Sequence, residues 1–165
     1  MKITTSIVML TTALIFLTTA VSAAEIPDNI IINEVMWDGG NYMVEGEHVG
    51  NYGEYIELYN PTSEDIDIAG WRIRIFKPYE NSPEWSFQIP DNGSEIVPAG
   101  EYYLIIDSEY FTVDGWSDYQ DEFQIMNSGG KIELSQSLYS PPVDVAGTGS
   151  SWPAGDKTDT GRAME

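Results

Sequence analysis

The sequence predicts an all-β domain, an antiparallel sandwich or barrel, on three observations. Apolar and polar residues alternate with period two in segment after segment beyond Ile30. Turn-forming residues recur at short spacing between those segments. No 12-residue window combines sustained 3.6 periodicity with helix caps. Alternation of this kind places one face of a strand in the core and the other in water. Many short strands with frequent turns close into a sandwich or a barrel.

The elements follow in chain order. Ile30–Trp37 is the first expected strand. Tyr55–Tyr59 puts Ile56 and Leu58 on one face, and Asp65–Ile68 does the same with Ile66 and Ile68. Trp71-Arg72-Ile73-Arg74-Ile75 points three apolar side chains one way and both arginines the other. Trp85–Ile89, Glu101–Asp107, Asp121–Met126, Lys131–Leu134 and Val143–Ala146 complete the set. Between them, Asn60-Pro61, Ala69-Gly70, Asp91-Asn92-Gly93, Pro98-Ala99-Gly100 and Asn127 to Gly130 are turn signals. Residues 38–53 and 107–120 are too polar and Gly-rich for core and read as long loops. The shared parity predicts burial of Ile56, Leu58, Ile66, Ile68, Trp71, Ile73, Ile75, Leu104, Ile106, Ile132 and Leu134.

Residues 1–23 have the pattern of a secretory signal peptide. Lys2 gives the positive end, Ile3 to Ala20 carries no charge, and Val21-Ser22-Ala23 ends on a small residue. Seven Thr or Ser interrupt that core, which makes it a poor permanent membrane span. The expectation is export with cleavage after Ala23, a secreted or cell-surface location, and no membrane insertion afterwards. Residues 24–165 are enough for one domain. With no cysteine, its core must suffice without disulfides.

Beyond Lys2 only six basic residues stand against 27 Asp and Glu. Such a surface repels phosphate backbones, so direct nucleic-acid binding is not expected.

The order of motifs resembles the lamin tail domain family of the exported prokaryotic type. The likeness begins at Ile31-Ile32-Asn33-Glu34-Val35 and is strongest from Glu54 to Trp71, where a strand ends in Glu57-Leu58-Tyr59-Asn60 and Gly70-Trp71 opens the next. Val97-Pro98-Ala99-Gly100-Glu101-Tyr102 is similar to the family's turn before a strand, and Asn127 to Leu134 to its late hairpin. Ser151 to Gly155 and Gly161 to Glu165 resemble its closing strands, on which the chain stops, as a module shortened at its C-terminus would. The resemblance implies an immunoglobulin-like antiparallel β-sandwich of about eight to nine short strands. It also implies an interaction or tethering role, and it carries over no catalytic residue.

Nucleophile chemistry lacks its parts. His48 is the single histidine, cysteine is absent, and no Gly-x-Ser-x-Gly elbow occurs. The same inventory excludes a structural zinc site. Glu34 and Glu57 could form a hydrolase pair if their strands are neighbours. Their outward parity, with Arg72 and Arg74 on a following strand, favours cross-strand charge pairing instead. Calcium is the more credible metal, because Asp107, Glu109, Asp114, Asp118, Asp121 and Glu122 crowd the second long loop. The Asp-x-Asp-x-Asp-Gly pattern is absent, so the expectation is a solvated acidic loop and no cofactor, with calcium as the alternative. Tyr42, Tyr52, Trp116 and Tyr119, with His48, lie in the two long loops as candidate binding residues. The expected function is a non-catalytic adaptor for a protein or a glycan. A calcium-stabilised domain of a surface layer or matrix and a carboxylate hydrolase are the alternatives.

Overall fold

The computed structural model describes residues 29–38, 40–44, 47–93, 95–108 and 117–154, and within 40–52 the backbone course alone. Two four-stranded sheets form the frame. The first has β1 (Ile31–Met36), β4 (Tyr55–Tyr59), β9 (Tyr102–Asp107) and β10 (Tyr119–Asp121) side by side in that order. The second has β12 (Pro142–Ser150), β11 (Gly130–Ser135), β6 (Arg72–Phe76) and β7 (Trp85–Gln88). Two small ribbons accompany them, β2 (Gly40–Val44) with β3 (Glu47–Tyr52), and β5 (Ile66–Asp67) with β8 (Ile96–Val97). This is the immunoglobulin-like sandwich, and no helix occurs among the described residues.

The alternation dictates the core. Val35, Ile56, Leu58, Tyr103 and Ile105 point inward from the first sheet, and Ile73, Ile75, Phe87, Ile132 and Leu134 from the second. Ile68, Trp71, Ile89, Val97, Phe123 and Ile125 fill the ends. Each such side chain contributes about 1.5–3 kcal/mol on leaving water, so this layer supplies the cohesion that disulfides would otherwise lend.

Four expectations need correction. Residues 38–53 are not one loop, since β2 and β3 form an antiparallel hairpin there. The expected strand 121–126 is confined to Tyr119–Asp121, and it runs parallel to β9 while every other pair is antiparallel. Leu104 is half-buried on the outer face, because Tyr103 and Ile105 are the inward set of β9; Ile66 is likewise only partly buried. Arg72 and Arg74 do not partner Glu34 or Glu57. Arg74 pairs with Glu133 at 3.2 Å and Arg72 bonds Gln88 at 3.2 Å. Strand β6 belongs to the other sheet, which is why its arginines face away.

Two polar joints lock the frame. Asn60, fully buried, donates from Nδ2 to the carbonyls of Glu64 (2.8 Å) and Val97 (2.9 Å), and its Oδ1 accepts from the Thr62 amide and hydroxyl. At the seam between the sheets, the Ile32 amide donates to Asp144 Oδ2 at 2.7 Å. Nearby, Trp37 and Trp152 stack at 6.5 Å, and their indoles donate to Ala154 O and Met126 O. Gly147 permits that stack. A Cβ there would lie 2.6 Å from the Trp152 ring, on a backbone with φ of +81°.

Candidate recognition surface

The outer faces of the two sheets differ in chemistry. On the second sheet, the outer face is polar, with Arg72, Arg74, Lys131, Ser86 and Gln88 over buried Glu133 and Ser135. Lys131 and Arg74 both reach Glu133, and Lys77, just past β6, pairs with Glu84 at 2.7 Å. These four are all the Lys and Arg among the described residues.

The first sheet carries none of them. Its outer face presents Glu34 on β1, Tyr55, Glu57 and Tyr59 on β4, and Tyr102, Leu104 and Ile106 on β9. Exposure rises along β9 from buried Ile106 through half-buried Leu104 to Tyr102, which is 52% exposed. Tyr102 lies against Tyr59 with ring centres 4.7 Å apart. A register shift between Ile32 and Glu34 brings Glu34 directly opposite Glu57. Like charges in that position repel. Among the described residues neutral donors serve them: Asn33 Nδ2 reaches Glu57 at 2.8 Å, and the Tyr55 hydroxyl bonds Glu34.

The end of this sheet holds a second group of acids. Met36 pairs with Tyr55, and Tyr55 with Ile106, so both long connections leave from adjacent strand ends. At these strand ends lies Glu54, 7% exposed, whose Oε2 accepts the Ile125 amide at 2.6 Å. Burial pushes its carboxyl up to about 8, against the pull of that amide, with the charges of Asp107 and Asp38 adding to the rise. Asp38 accepts from Asn127 Nδ2 at 2.7 Å.

The residues singled out in the sequence are placed as follows. Asp107 is buried and takes the Phe123 amide at 3.4 Å. Asp118 takes the Leu104 amide at 2.7 Å and so pins the start of β10. Asp121 accepts from the Glu122 amide and the Tyr119 hydroxyl. Among the described residues no group of three or more His, Asp or Glu is arranged to hold a metal. Tyr119 turns its ring toward Phe87, centres 6.2 Å apart, and packs against the core, with its phenol pKa raised chiefly by desolvation. Glu109, Asp114 and Trp116 lie outside the described residues, as do the side chains of Tyr42, His48 and Tyr52.

Sequence reasoning missed Tyr59, Tyr102 and Leu104 as surface groups and Glu54 as a buried acid. Outward parity alone signalled Tyr59. Nothing in the run Tyr102-Tyr103-Leu104-Ile105-Ile106 says which alternate set faces out.

Comparison with curated proteins finds no match. A family model described as Lamin Tail Domain matches residues 23–148, an interval that contains β1 to β11 and most of β12. The match over most of its length, on an immunoglobulin-like sandwich, places this chain in the lamin tail domain family, a family of immunoglobulin-like, non-catalytic domains.

Proposed function

We propose that the protein is an exported, non-catalytic binding module that holds a protein or glycan partner on the outer face of its first sheet. The signal-like residues 1–23 support export. The observation that carries the binding reading is exposed Tyr102 lying against half-buried Tyr59 beside Glu57, on a face without a single described cation. Tyrosine presents a large, rigid, partly apolar area at low entropic cost, which suits it to recognition.

Glu34 and Glu57 are adjacent, as a carboxylate hydrolase would require, but they sit on an open sheet face. Catalytic acids need a cleft that raises one pKa and excludes water. One cavity among the described residues, of about 300 Å³ at the β1–β12 seam, is lined by Ile32, Val35, Ala146 and Pro153 and has no carboxylate in its lining.

Arrays of oligosaccharides and of peptides, probed with the whole protein and its Tyr59→Ala/Tyr102→Ala variant, test the reading. Ligands retained by the wild type and lost by the variant, with unchanged melting, are the expected result. Identical profiles for the two proteins refute it.

A further inference from the structure

We infer that the partner on this face is a lysine- or arginine-rich polypeptide segment, an inference that rests on the binding-module reading above. Glu34 and Glu57 oppose each other directly across β1 and β4, where like charges destabilise a sheet. Neither forms an ion pair with any described residue, because the four described cations all sit on or beside the second sheet. A cation arriving from outside removes that repulsion, whereas a neutral ligand leaves it in place and covers two charges besides. Covering a carboxylate without a counter-charge is costly.

The surroundings suit a long basic side chain. Tyr59, Tyr102 and Leu104 lie beside Glu57 on the neighbouring positions of β4 and β9. Lysine and arginine lay their methylene stems on such apolar surface and keep their charged heads free for the carboxylates. The tyrosine rings add cation–π attraction, strongest for a guanidinium. The protein's net charge of −20 speeds the approach of a basic segment and repels an anionic polymer.

A chain this acidic attracts any polycation, so the test separates this face from the bulk charge. The probes are an octa-arginine peptide, an octa-lysine peptide and a neutral chito-oligosaccharide, titrated by calorimetry against the full chain at low and physiological salt. The Glu34→Gln/Glu57→Gln variant is compared with Glu80→Gln/Asp91→Asn, which removes the same charge from exposed positions elsewhere. Tyr102→Ala changes no charge and, being 52% exposed, spares the core.

The expected result is a loss of about tenfold in peptide affinity for the face variant and several-fold for Tyr102→Ala, with less than about twofold for the control. Equal losses for the two charge variants overturn the inference, since the attraction is then that of the whole protein. Binding of the oligosaccharide but of neither peptide, lost in Tyr102→Ala, overturns the inference and leaves the binding-module reading standing. No binding of any probe, with arrays indifferent to Tyr59 and Tyr102, removes both.

Discussion

Replacing Glu54 by Gln should stabilise the protein more and more as pH rises. In the folded state this carboxyl is lifted from 4.5 to about 8, first by burial and then by Asp107 and Asp38. In the unfolded chain it titrates near its ordinary value. Between those two pH values the folded state holds a proton that the unfolded state has lost, so stability falls with rising pH across that window. The stability that the protonated acid lends is therefore complete below about pH 4.5 and gone above about pH 8. Each tenfold change in proton affinity is about 1.4 kcal/mol, which sets the slope per pH unit and a total of roughly 4–5 kcal/mol as an upper estimate. Glutamine keeps an oxygen for the Ile125 amide, now 2.6 Å away, and carries no charge at any pH. Urea midpoints for wild type and variant across pH 4 to 9 at fixed ionic strength measure the gap. It should be small at the acid end and open to several kcal/mol by pH 8. A gap that stays constant, or a variant less stable at pH 8, refutes the assignment of a neutral buried acid.

Other perturbations follow from the same structure. Asn60→Ala strands the buried Val97 carbonyl and cuts the bonds to Glu64 and Thr62, for a loss of about 3 kcal/mol and a drop in melting temperature near 10 °C by calorimetry. Asn60→Asp should be no better, because a carboxylate would then face two carbonyls; a milder effect than alanine contradicts the network. Gly147→Ala drives a methyl into Trp152 on a positive-φ backbone, and should cost about 2 kcal/mol with a red shift of tryptophan fluorescence as the stack opens. Ile105→Ala should destabilise by about 2–4 kcal/mol and Leu104→Ala by less than half of that, in urea unfolding; the opposite order would mean that β9 is out of register. Calcium against chelator should shift melting by less than about 2 °C, because Asp107, Asp118 and Asp121 are already committed to main-chain amides. A larger rise would put the ion on the connection that holds Glu109 and Asp114.

Period-two alternation made β4, β6 and β11 legible, down to the inward set Ile56, Leu58, Ile73, Ile75, Ile132 and Leu134. The same signal is silent in β9, where five apolar residues run together from Tyr102 to Ile106. There the choice is made by tertiary partners. Tyr103 turns inward because its hydroxyl finds Glu95, which Leu104 could not use. The hairpin β2–β3 was hidden by its composition, since its Gly, Asn, Glu and His residues show no apolar alternation. Strand β10 is three residues long and pairs parallel across a long connection, with too little local pattern to read. Glu54 and Asp107 counted as surface charge in the composition. Only the fold reveals that their carboxylates point into the end of the sandwich to serve amides at Phe123 and Ile125.

The candidate recognition surface was half legible for a related reason. Parity alone turns Glu34, Tyr55, Glu57 and Tyr59 outward, and the pairing of β1 with β4 brings the two acids together as their strands allowed. Parity does not say which sheet a strand joins. Consecutive strands are adjacent more often than not, so Arg72 and Arg74 were natural partners for the acids of the preceding long strand. Instead the chain crosses between β4 and β6, and the arginines end on the far side of the sandwich. Sheets pack about 10 Å apart, and outward side chains on both add to that separation. The distance exceeds the Debye length of about 8 Å in physiological salt, so the arginines cannot neutralise Glu34 and Glu57 at that range. One crossover thus places the four described cations on or beside the second sheet and leaves Glu34 and Glu57 on the first without a counter-charge among the described residues. The face without them also bears the Tyr59–Tyr102 pair, and the basic segment proposed above is the ligand that would use both features.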